Sequence, residues 1–364
     1  MKQSFRAFAL LLALCLCVGG FALAEDDLTT IKGTLDTPVK LRQEYPDNPV
    51  VEGFSSTTGL PASGEAFTPI VVDLDGGAYP HWGIADADII FQVPNQGSGS
   101  SKLLALFADH YPEECGGVRS ARASMVPIVA AWDAAFAYAS IAPVEGSNVN
   151  VDKLTMRLGL RKSGDNYKCF SLLGNNVNWK VRKKDVKEPG NLSCFVRNIH
   201  NELIEKNVPF EERPFRFTNT PRTDGVDATY IRILHRGDSA DKNVNSASTA
   251  TYEYSEEAGG YLRYYNTGDA DADRYTGEAP VFTNVIVLRV KNNWYNGYLY
   301  LKDHLVGSGC IEIFQNGRYV RGAWYRKDET SRLVLIGPDG NELEMQRGKS
   351  FIVIGNDITE VKYR

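Results

Sequence analysis

Two arginines three residues apart, Arg119 and Arg122, close the segment Gly116-Gly117-Val118-Arg119-Ser120-Ala121-Arg122. The run that follows, with Met125, Val126, Val129 and Trp132 at steps of one, three and three, predicts a helix. Ser120 and Ser124 are N-cap residue types, and Pro127 is tolerated in a first turn. The arginines are therefore expected at a helix start. That end carries positive partial charge and disfavours cations. Two guanidinium groups there call for an anion. It could be a bound phosphate or carboxylate, or one of the chain's own carboxylates: Asp73, Asp75, Glu113 or Glu114. Asp73 and Asp75 follow the apolar run Ile70–Val72 and precede Gly76-Gly77. They suit either a site at a strand end or ordinary turn chemistry.

Other chemistries are less well supported. Asp269, Asp271 and Asp273 begin like a calcium loop. However, Arg274 holds the sixth position and Pro280 the twelfth, so an EF-hand is excluded and a solvated turn expected. His81, His110, His200, His235 and His304 are scattered, without the spacing of a zinc site. No nucleophile elbow or Walker loop occurs, and Gly97–Ser101 lacks the lysine of a phosphate loop. Ser308-Gly309-Cys310-Ile311, with His304 upstream, is faintly similar to the cysteine motif of L,D-transpeptidases. The serine-to-cysteine spacing is one residue short, and Glu312 stands where that family has arginine. No metal or cofactor is expected.

The 364 residues carry a formal charge of -5, which gives no bulk reason to expect nucleic-acid binding. Lys2 and Arg6, the apolar Leu10–Val18 and the Ala22-Leu23-Ala24 cleavage site predict a secretory signal over residues 1–24. No later stretch is apolar enough to span a membrane. Cleavage leaves Cys115, Cys169, Cys194 and Cys310. These allow two disulfides in three connectivities, with Cys169–Cys194 nearest in sequence, or four buried thiols.

Residues 25–66 read as an extended polar leader. Residues 67–209 alternate strands and helices. Strands are expected near 70–72, 87–94, 102–110 and 134–143, and helices near 150–158 and 193–207, the last capped by Ser193. From 210 to 364, short tyrosine-rich alternating runs are separated by Gly259-Gly260, Asn316-Gly317 and Asp339-Gly340. The expected fold class is α+β: an N-terminal α/β domain with a mixed sheet, then an all-β domain.

Several segments together resemble the YerB-like family of exported proteins and candidate lipoproteins of mainly Gram-positive bacteria, a two-part domain of unknown function. They include TGLP at 58–61, TPIVVDLD at 68–75, ADADIIFQ at 85–92, GGVRSAR at 116–122 and WDAAFAY at 132–138. PGNL at 189–192, TNVIVLRV at 283–290, GSGCIEIFQNGRYVRGAW at 307–324 and GKSFIVI at 348–354 extend the likeness across most of the chain. The family pattern has proline at Gly117, a glutamate near Gln92 and an arginine near Lys102. It also has a histidine and glycines near Tyr138–Ile141 and a histidine near Gly190. The resemblance implies a two-part extracytoplasmic protein and no particular reaction.

The expected function is a non-catalytic envelope module. It would bind an anionic ligand or a protein partner through Arg119, Ser120 and Arg122, with Asp73 and Asp75 nearby. Two enzymatic alternatives are a cell-wall hydrolase or transferase using the aspartates with the arginines, and a transpeptidase using Cys310.

Overall fold

The computed structural model describes residues 27–95, 101–163, 167–174, 176–235, 249–265 and 267–364. The expected signal sequence, and Gly97–Ser100 of the glycine–serine loop, lie outside them. The described residues are mostly β-sheet with few helices. Strands β1 (Thr29–Ile31), β2 (Ile70–Asp75), β3 (Ile89–Pro94), β4 (Ser101–Phe107), β5 (Cys115–Gly116), β6 (Ala135–Tyr138), β7 (Cys169–Ser171), β8 (Lys180–Arg182) and β9 (Leu192–Cys194) lie before residue 210. They are accompanied by helices α1 (Val126–Ala131), α2 (Val151–Arg157) and α3 (Val196–Glu205). After residue 210 the described residues contain strands and one 3-10 turn.

One sheet runs through both parts. From one edge it passes through β7, β6, β2, β4 and β3, then crosses directly to the strand Lys349–Gly355. That crossing is parallel, with Ser350 opposite Ile89 and Val353 opposite Gln92. The sheet continues through Val281–Arg289, Gly260–Tyr265, Thr249–Ser255, Tyr230–Leu234 and Glu360–Tyr363 to β1 at the far edge. Gly307–Gln315 and Arg318–Arg326 branch from Val281–Arg289. Each face carries a core. Alternate side chains of β2, β3 and β4 pack with α1, α2, Ile286, Ile311 and Ile352 on one face. The others pack with α3, Cys115, Cys194, Val287 and Val353 on the opposite face. Burial on both sides explains the nearly continuous apolar runs of β3 and β4.

The leader lies across the C-terminal part. Arg332 donates to Asp47 at 3.0 Å, and Asn48 donates to the Pro214 carbonyl at 3.0 Å. Three readings are corrected. Helix α1 is only six residues long, with Met125 at its start and no side-chain cap, so Ser120 and Ser124 cap nothing. Ser124 instead donates to the Pro94 carbonyl. Ser193 does not cap α3, which starts from Phe195; Ser193 lies in β9 and donates to Glu114. The Asp269–Asp273 stretch is a solvated turn only at Asp269, which is exposed. Asp271 is buried against Arg263, 2.6 Å away, and Asp273 is buried while accepting from the Tyr275 and Thr276 amides.

Candidate functional site

The arginine segment is a wedge between two strands rather than a helix start. Parallel strands β2 and β6 pair only over Ile70–Val72 and Ala135–Ala137. Beyond that they part, and residues 117–121 fill the gap. On one side the Arg119 amide donates to the Asp73 carbonyl, and the Asp75 amide to the Gly117 carbonyl, both at 3.0 Å. On the other side Ala139 donates to Arg119 at 2.8 Å, and Ala121 to Ser140 at 2.9 Å. The two glycines serve this close approach. A Cβ on Gly116 would run into the Trp82 ring, and one on Gly117 into the Gly190 carbonyl.

The wedge brings the five expected residues together at the C-terminal end of β2. Asp73 and Asp75, two apart, project from the same face. Arg119 Nε lies 2.9 Å from Asp75 Oδ2, and both side chains are partly exposed. Arg122 is half-buried and donates to the carbonyls of Ser120 at 2.9 Å and Ala121 at 3.0 Å. The Ser120 and Ser140 hydroxyls are 2.8 Å apart. Asp73 is completely buried and does not face a ligand; Lys102 Nζ meets both its oxygens, at 2.9 and 3.0 Å. Burial pushes the Asp73 carboxyl up to about 7, against the pull of the Lys102 charge. Burial also lowers Lys102 below the ordinary lysine value, with Asp73 opposing. Burial lowers Arg122 in the same way.

Sequence reasoning left Lys102, Ser140 and Tyr298 out of the site, although the family resemblance marked the neighbourhoods of Lys102 and of Tyr138–Ile141. The signal for Lys102 was a lysine at the head of an otherwise apolar strand; such a charge needs a partner. Ser140 and Tyr298 left no such signal. Tyr298 comes from the C-terminal part and, with Ala121, Arg122 and Val149, lines a cavity of about 10 Å³. Larger grooves of about 340, 540 and 560 Å³ lie where residues 42–59 cross the C-terminal part.

Other candidate chemistries do not assemble. Cys310 is buried, burial pushes its thiol up to about 12, and its sulfur approaches only the Ile311 carbonyl. His304 bonds Asn148 instead, and buried Glu312 pairs with Arg289 at 2.9 Å. The remaining histidines are scattered. His81 bonds the Asp75 carbonyl, His200 stacks on Tyr111, and buried His235 is pulled down to about 4. Among the described residues no group of three His, Cys, Asp or Glu side chains could hold a metal ion. No helix there is long and apolar enough to cross a membrane. Cys115, Cys169, Cys194 and Cys310 are all buried thiols. Cys169 and Cys194 belong to cores on opposite faces of the sheet, so the pair nearest in sequence is not a pair in space.

The fold and wedge define a two-part sheet protein whose halves are joined strand to strand, with a solvent-facing arginine at the strand ends. Comparison with known proteins narrows this class. Residues 57–208 match the "Protein of unknown function (DUF3048) N-terminal domain", and residues 240–352 the matching C-terminal domain. The chain belongs to this YerB-like family. It is 24% identical over 292 residues to "Putative lipoprotein YerB" of Bacillus subtilis (strain 168), covering 79% of this chain and 81% of that one. The crystal structure of the Bacillus subtilis YerB protein shares the fold, with a TM-score of 0.67 at 21% identity over 85% of this chain and 99% of that one.

The positions where this chain departs from the expected family pattern fall mostly around the wedge. Lys102 pairs with Asp73, Ser140 with Ser120, and Gly190 backs Gly117. Gln92 is the exception. It donates to Ser101 on the opposite sheet face.

Proposed function

We propose that the chain is an extracytoplasmic envelope protein that binds an anionic group of an envelope ligand, without catalysis, at Arg119, Ser120 and Arg122. In this reading an N-terminal α/β half ends near residue 209 and an all-β half follows. The observation that carries the proposal is the partly exposed Arg119–Asp75 pair beside a second, half-buried arginine. A pair in contact with water contributes about 0–1 kcal/mol. A phosphate or carboxylate can therefore take the place of Asp75 on Arg119 at little cost. Asp73 and Lys102, out of solvent, form the fixed floor beneath. Among the described residues, Arg119 is the cation here that meets both a carboxylate and solvent, so it is the one an incoming anion reaches first.

The same geometry argues against the hydrolase alternative. Asp73 is fully buried with Lys102 on its carboxylate, so it cannot reach a substrate as a general base, and Asp75 is left without a second carboxylate to act with. The test is calorimetric titration of residues 25–364 with inorganic phosphate, muropeptides and poly(glycerol phosphate). Wild type is expected to bind at least one of them. Arg119→Ala/Arg122→Ala should lose at least tenfold in affinity. Asp75→Asn, which removes the internal competitor, should bind at least as tightly as wild type. Absence of binding by all three anions, or tighter binding by the double variant, overturns the reading.

A further inference from the structure

We infer that Cys115 and Cys194 form a disulfide when the protein folds in an oxidising compartment. Strands β5 and β9 are antiparallel, and their register sets Cys115 directly opposite Cys194, with Gly116 opposite Ser193. Directly opposed residues of an antiparallel pair have Cα atoms about 4.5 or 5.5 Å apart and side chains on one face. Both spacings lie inside the roughly 4.4–6.8 Å range that a disulfide spans. Both cysteines are fully buried and share one apolar cluster. Burial raises the Cys115 thiol well above its ordinary value, and the nearby Cys194 raises it further.

The other two cysteines are placed elsewhere. Cys169 lies in the core of the opposite face, where its thiol donates to the Leu160 carbonyl at 3.5 Å. Cys310 lies in the strand Gly307–Gln315. Of the six possible single pairs of these cysteines, only Cys115–Cys194 joins directly opposed residues, since Cys169 lies opposite Phe136 and Cys310 opposite Ala323, and both of these remain thiols.

The oxidant is a disulfide, either that of a protein thiol oxidase or oxidised glutathione. One cysteine thiolate attacks it to form a mixed disulfide, and the second thiolate displaces the carrier. The Cys115–Cys194 bond forms and the oxidant's S–S bond breaks. The two protons and two electrons lost by the cysteines leave the oxidant as two thiols. Because burial raises both thiols, the exchange belongs to folding, before β5 closes onto β9. The bond then ties α1, α2 and β6 to β8 into one covalent loop. It also anchors the root of the wedge, four residues before Arg119.

The test uses wild-type residues 25–364, refolded in a glutathione redox buffer and also recovered from an exporting host. Thiols are counted in guanidinium before and after reduction, and the unreduced digest is mapped by mass spectrometry. Two reactive thiols before reduction, four after, and a linked Cys115–Cys194 peptide are expected. Reduction should also lower the melting midpoint by roughly 5 °C or more, given the long loop closed. Four reactive thiols in both preparations, or a link between any other pair, overturns the inference. Neither outcome depends on anion binding.

Discussion

Lys102 Nζ lies 2.9 and 3.0 Å from the two carboxylate oxygens of Asp73, with both side chains out of solvent, and 2.8 Å from the Ser120 carbonyl. A single ammonium group thus ties β2 and β4 to the arginine wedge. Burial works against both charges, while their contact and the third hydrogen bond offset it.

This arrangement predicts strong coupling. Lys102→Met strands a buried carboxyl and is expected to cost about 3–5 kcal/mol in urea unfolding. Asp73→Asn alone leaves a buried ammonium with a weaker partner and is also destabilising. The double variant removes both charges and should recover at least half of the larger single loss. Additive losses in the double-mutant cycle would show that the pair does not act as a unit.

The residues differ in how far their structure could be read from the sequence. Short tyrosine-rich alternating runs marked residues 210–364 as strands, among them the observed Thr249–Ser255 and Arg318–Arg326, and Val151–Arg157 lies inside the helix expected near 150–158. These are local patterns. The five site residues were also brought together, but the reason differs from the one expected. Apolar spacing over Met125–Trp132 reads as an amphipathic helix. All six residues of α1 are instead buried, and the helix stops after Ala131. The segment carrying Arg119 lies between β2 and β6 because those strands part. That is a long-range relationship with no local signal. The alternating aspartates misled because Arg263, eight residues away in the strand Gly260–Tyr265, pairs with Asp271 and draws it into the interior, which the carboxylate spacing alone does not signal.

Asp88 gives a pH prediction with a definite sign. Its buried carboxyl accepts from Thr57 Oγ1 at 2.8 Å and from the Ala108 amide at 2.9 Å. Burial, opposed by Lys349, pushes it up to about 6. The folded state therefore holds this proton more tightly than the unfolded chain does. The stability it provides is complete below about pH 4 and is lost as pH rises through 6. Two units correspond to about 3 kcal/mol. The unfolding free energy of wild type minus that of Asp88→Asn should fall by this amount between pH 4 and 7. A pH-independent difference would mean that Asp88 is ordinary in its titration.

The strand-to-strand crossing between the halves makes the last prediction. β3 pairs with β4 on one side and with Lys349–Gly355 on the other. The Ser350 amide also donates to the Asp88 carbonyl at 3.1 Å. Residues 25–209 produced alone would leave this edge of β3 open, and would uncover Ile90 and Phe91 where Phe351 and Ile352 now cover them. Each such side chain contributes about 1.5–3 kcal/mol by burial, and an open apolar edge templates pairing with other chains. The fragment is expected to bind a hydrophobic dye, to be cleaved rapidly by protease and to aggregate. Added residues 210–364 should suppress all three by restoring the parallel pairing. A fragment that stays monomeric and melts cooperatively at the midpoint of the full chain would show that the N-terminal part is self-sufficient and that the shared sheet is only a docking contact.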